Sequence, residues 1–116
     1  MKNAVLAMAF LFVSVAANAA QVKGATYNAY EDTIEVDVVY SGGCYEHAFT
    51  LDLGGCAESY PAQIHAKLVD HNAEDPCDAI ISRKVAIAAS VLDQCRPAYV
   101  TIEGDGKSQA TAFVHQ

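Results

Sequence analysis

The chain has 116 residues, four cysteines, no tryptophan and a formal charge of −7, a size that allows one domain with a single core. Its fourteen acidic residues outnumber seven scattered basic ones, so there is no patch to hold a phosphate backbone or an anionic membrane, and neither nucleic acid nor a membrane surface is an expected partner. The same acidic balance keeps a small domain in solution.

Lys2 followed by the unbroken apolar run Ala4 to Val13 has the form of an export signal. The run is too short for a bilayer, which needs about 20 apolar residues. Ala17-Asn18-Ala19 offers the small-residue cleavage pattern, so residues 1–19 are expected to be a cleaved signal peptide and 20–116 a single domain, periplasmic or secreted. Lys2 leaves with the signal, and the remaining 97 residues carry six basic against fourteen acidic groups, a formal −8.

Period-two alternation, the mark of a half-buried strand, dominates from Thr33 onward. Ala25 to Tyr30 is expected to pair with Thr33 to Tyr40 across Glu31-Asp32, with Ile34, Val36, Val38 and Tyr40 inward. After the Ser41-Gly42-Gly43 turn, Phe49, Leu51 and Leu53 alternate again. Gln63 to Val69 gives a third clear strand, with Ile64, Ala66 and Leu68 inward. The stretch Ala79 to Leu92 mixes β-branched residues with helix-forming alanines and reads as strand, with a bulge or break expected near Arg83 and Lys84 because Arg83 falls in phase with the inward set. Ala98 to Ile102 and Ala110 to Val114 form a hairpin around Gly104-Asp105-Gly106. About seven short strands in one small domain predict an all-β fold, a two-sheet antiparallel β-sandwich of immunoglobulin-like shape.

Four cysteines in an oxidising compartment predict two disulfides. A site with four thiolates on zinc is the alternative, but separations of 12, 21 and 18 positions lack the paired C-x-x-C spacing that zinc prefers. Four cysteines allow three connectivities. If consecutive strands alternate in direction, Cys44 and Cys77 lie at one end of the sandwich and Cys56 and Cys95 at the other, and only nearby Cα atoms can be bridged. Pairing Cys44 with Cys77 and Cys56 with Cys95 is therefore expected. Loop closure assigns each bridge on the order of 4 kcal/mol, so reduction is expected to unfold the domain.

The Cys44–Cys77 end also gathers Glu46, His47, Asp70, His71, Asn72, Glu74, Asp75 and Asp78. His47 and His71 with Asp70 and Asp75 have the ligand chemistry of a borderline divalent ion such as zinc, copper or nickel; solvated turn chemistry explains the same Asp and Asn content. Asp70, Asn72 and Glu74 imitate an EF-hand start, but Asp75 stands where that loop needs Gly and Ile81 where it needs Glu. Sequence signatures of hydrolases and phosphate loops are lacking, and Ser41, His47 and Asp75 make only a weak triad candidate. The six tyrosines suit a binding face, yet core or strand-edge packing is the more ordinary role.

Gly42-Gly43-Cys44-x-x-His47-x-Phe49, Glu58-Ser59-x-Pro61-x-Gln63 and Asp70-His71-Asn72 leading to Cys77 together resemble small exported bacterial β-sandwich domains of uncharacterised function, over roughly residues 33 to 92. The resemblance implies a β-sandwich and draws attention to His47 and the Asp70 to Cys77 loop. It implies no substrate or cofactor. The expected function is non-enzymatic binding of an unknown protein or small ligand, with divalent-metal binding through His47 and His71, or inhibition of a secreted enzyme, as alternatives.

Overall fold

A computed structural model describes residues 20–56 and 59–116; the expected signal peptide lies outside the described residues, as does Glu58. Seven strands occur in the order β1 Gln21–Asn28, β2 Thr33–Gly42, β3 Phe49–Leu53, β4 Ala62–Asp70, β5 Ala79–Ala88, β6 Ala98–Glu103 and β7 Gln109–Val114. They form two packed sheets, sheet A in the order β1-β2-β5 and sheet B in the order β3-β4-β6-β7.

Alternation places the core. Ile34, Val36 and Val38 of β2 and Val85 and Ile87 of β5 face Ile64 and Leu68 of β4, Val100 and Ile102 of β6, and Val114 of β7, all buried. Each such side chain contributes roughly 1.5–3 kcal/mol by leaving water. The strand β1 runs Gln21–Asn28 instead of the expected Ala25 to Tyr30, and a register shift between Val22 and Gly24 changes its phase while Val22 stays buried.

Three expectations are corrected. β5 stops at Ala88, and Ala89–Cys95 forms a 3-10 helix that buries Ala89 and Leu92 against the core; the alanines and the Ala89 N–H to Asp32 carbonyl bond of 2.9 Å turn the chain there. No bulge interrupts β5, which pairs with β2 in unbroken register from Ala79 to Ala88. Arg83 keeps its inward phase because its guanidinium finds partners at the rim. Finally, the sandwich is not wholly antiparallel, since β4 and β6 pair in parallel. That pairing follows from the alternation itself: when every connection reverses direction, β4 and β6 run the same way, and they become neighbours once β5 has crossed to sheet A.

Both expected disulfides are present, Cys44–Cys77 with Cα atoms 5.6 Å apart and Cys56–Cys95 with 6.0 Å, one at each end of the sandwich. The β6–β7 turn closes onto β1: Asp105 N–H donates to the Ala20 carbonyl at 2.9 Å, and Val22 N–H to Ser108 Oγ at 3.0 Å. Gly104 permits this approach, since a Cβ there would stand 2.6 Å from the Ala20 carbonyl oxygen.

Candidate functional site

The Cys44–Cys77 end is organised around one buried imidazole. His47, in the segment between β2 and β3, is 3 % exposed. Its ring lies against Tyr40 of β2, with centroids 4.4 Å apart, and more distantly against Phe49 of β3. Nδ1 sits 2.7 and 2.9 Å from the two carboxylate oxygens of Asp70, the last residue of β4, and Nε2 sits 2.9 Å from Asp75 Oδ2 in the β4–β5 loop. Ionised carboxylates only accept, so both ring nitrogens must donate and the ring is an imidazolium. Burial pulls the His47 pKa down, but the hydrogen bonds and charges of Asp75 and Asp70 outweigh it and hold the value above that of a free imidazole.

Asp75 is the hub. Besides His47 it accepts backbone N–H groups from Gly43, Cys44 and Tyr45 at 2.9 to 3.3 Å and from Cys77 at 2.9 Å. Burial pushes its carboxyl up, yet His47 and these N–H groups prevail and hold it well below the usual carboxylate range. One carboxylate thus ties both sides of the Cys44–Cys77 bridge. Asp70 similarly caps the following turn through Asn72 N–H at 2.9 Å, while the Asn72 amide donates to the Glu46 carbonyl.

Two residues with no expected role at this site complete the cluster. Arg83 Nη1 donates to the His47 carbonyl at 3.1 Å and to Tyr40 Oη at 3.2 Å, with its guanidinium 5.6 Å from the Phe49 ring centre. Its charge offsets the surplus of two carboxylates over one imidazolium. Gly42 supplies space: a Cβ there would lie 2.8 Å from both Asp75 Oδ2 and His47 Nε2. The inward phase of Arg83 and the paired glycines were the available signals.

Of the residues expected to hold a metal, His47, Asp70 and Asp75 come together, while His71 is exposed with Nε2 2.8 Å from Thr50 Oγ1. A cation at His47 would first have to displace a carboxylate. Among the described residues, the group whose ligand atoms are close enough to share an ion is Cys44, Asp75 and Cys77, and its two sulfurs are bonded to each other. His47 offers no base to Ser41, because both ring nitrogens are taken by carboxylates. A cleft of about 420 Å³ lined by Tyr45, Asp70, His71, Asn72, Ala73 and Glu74 opens on this end.

The opposite end is held by a second polar cluster. Arg96, its side chain 10 % exposed, forks onto Asp32 at 2.8 and 3.2 Å, reaches Asp93 at 3.1 Å and Tyr27 Oη at 3.0 Å, and donates from Nε to the His115 carbonyl at 2.8 Å. Hydrogen bonds from Arg96 and then Tyr27 hold the Asp32 carboxyl below its ordinary value. Arg96 joins the β1–β2 turn, the 3-10 helix and the C-terminus. No spacing in the sequence links it to Asp32, 64 residues away.

The fold and its two clusters define a disulfide-braced, two-sheet β-sandwich. No family model, curated protein or solved structure matches the chain at a significant level.

Proposed function

We propose that the domain is a non-enzymatic binding module of immunoglobulin-like outline, working outside the cytoplasm, that meets its partner through the Cys44–Cys77 end. The reading rests on one observation: a buried charge cluster is coupled to loops that carry exposed side chains. Charges taken out of water contribute little net stability, so their use here is to fix the backbone of residues 43–45 and 75–77. Loops already held in one conformation lose less entropy on binding, and preorganisation becomes affinity.

On this fixed frame Tyr45 is 55 % exposed, with Glu46, His71 and Glu74 exposed around it. An aromatic anchor with a polar rim is the usual composition of a binding hot spot. The two disulfides fit an oxidising compartment, and no described helix is long and apolar enough to cross a membrane.

The test is capture of a partner from the extracytoplasmic fraction by the oxidised domain, compared with Tyr45→Ala and with Glu46→Lys/Glu74→Lys, each checked to melt as the parent does. A partner held by the parent and lost from both variants is the expected result; one held equally by all three would move the surface elsewhere.

A further inference from the structure

Aromatic side chains collect at the other end, where the β1–β2 turn, the β3–β4 connection and the 3-10 helix lie. Tyr99 of β6 and Phe113 of β7 are cross-strand partners on the outer face of sheet B, with ring centroids 4.8 Å apart. Phe113 is 5.2 Å from His115, and His115 stacks at 5.2 Å on Tyr27 at the rim of β1. Four rings thus make a continuous strip across β6, β7 and β1. Tyr99 is 42 % exposed, and Tyr60 at the same end is 83 % exposed.

The strip is anchored from beneath and flanked by polar side chains. Arg96 lies 5.9 Å from the Tyr27 ring centre and spends its charge on Asp32 and Asp93. On the same outer face Gln63 is the cross-strand neighbour of Tyr99, and one row along the hydroxyls of Thr101 and Thr111 meet at 3.0 Å. Ring faces, an amide and hydroxyls stand together, bordered at Thr101 by its β4 neighbour His65, whose Nδ1 lies 3.6 Å from a Glu103 carboxylate oxygen.

We propose that this strip is a binding site for a neutral polysaccharide, independent of the Cys44–Cys77 surface. Pyranose rings present an apolar C–H face to Tyr99 and Phe113 and hydroxyls to Gln63 and Thr101, matching the amphipathic character of the strip. Anionic polymers are repelled by the acid excess of the chain. A protein partner or second copy wants about 800 Å² per side, whereas a sugar needs only a few exposed ring faces, and here Tyr27 and Phe113 are already partly buried.

The experiment titrates the ¹⁵N-labelled domain with cellohexaose, mannohexaose and chitohexaose, with polygalacturonate as the charged control, and follows self-association by sedimentation. One or more neutral oligosaccharides is expected to shift resonances confined to Gln63, Tyr99 to Thr101 and Thr111 to His115. Tyr99→Ala and Thr101→Lys weaken that binding by about tenfold or more, while Tyr99→Phe keeps it; Thr101→Lys blocks the face without removing a packed ring. The proposal is overturned if no neutral oligosaccharide shifts these resonances at millimolar concentration, if binding survives Thr101→Lys, or if the parent is a dimer that Tyr99→Ala makes monomeric.

Discussion

His47 has two carboxylates and nothing else at its ring nitrogens, and this single arrangement determines how the Cys44–Cys77 end behaves. Because the folded-state pKa is raised above that of the unfolded chain, the contribution of His47 is complete below about pH 6.5 and is lost as pH rises through the folded value. Asp75 has the opposite sign: its depressed folded pKa gives stability that is present above about pH 4 and is lost as pH falls through the folded value. Stability measured by urea unfolding is therefore greatest between these limits and declines on both sides. His47→Gln removes the alkaline limb and costs about 3 kcal/mol near pH 6, because two buried carboxylates lose their shared cation. Gly42→Ala forces a methyl between Asp75 and His47 and costs about 1–3 kcal/mol, as overpacking does. Sequence alone brought His47, Asp70 and Asp75 to one end, since the alternation of strand directions is readable. Their metal-like appearance came from residue types; that both nitrogens are occupied depends on distances set by three different elements.

At the scale of strands, alternation was enough to find β2 to β7 and the hairpin of β6 and β7, whereas β1, expected at Ala25 to Tyr30, lies at Gln21–Asn28. The missed details each come from a competing local demand. Val22 and Gly24 shift register, the Ala89–Cys95 segment gives up strand geometry to bury Leu92 and deliver Cys95, and Arg83 stays inward because Tyr40 and the His47 carbonyl satisfy it. Tyrosines divide differently from the expected core or edge packing: Tyr40 is buried, but Tyr30, Tyr45 and Tyr60 are exposed on turns and loops, where alternation assigns no face, and Tyr99 is exposed on the outer face of β6. Central strands are expected to exchange amide hydrogen last, so Val36 of β2 and Val100 of β6 outlast Leu51 of the edge strand β3 in a native-state exchange experiment. Equal exchange at these sites would contradict the sheet order. The bridges span 33 and 39 residues, and replacing either cysteine pair with serine lowers stability by up to about 4 kcal/mol. Losing both is expected to unfold the domain, and a fully reduced chain that keeps its near-UV signal and melting point would contradict that.

Over the whole molecule, the two ends are built alike and equipped differently. Each has one disulfide and one buried or half-buried cation clasped by two carboxylates, His47 by Asp70 and Asp75, Arg96 by Asp32 and Asp93. One end presents Tyr45 among exposed acidic groups; the other presents a strip of rings beside the Gln63 amide and the Thr101 and Thr111 hydroxyls. The sandwich holds these surfaces apart, and the clasps hold each rigid. The first clasp matters most, and the decisive measurement is a long-range ¹H–¹⁵N spectrum of the histidine rings at about pH 6.5, where a free imidazole is half protonated, with and without zinc. His47 is expected to carry protons on both Nδ1 and Nε2, and zinc to leave its signals unmoved. A bare ring nitrogen on His47, or signals that shift when zinc is added, would break the clasp as described and return this end to metal binding.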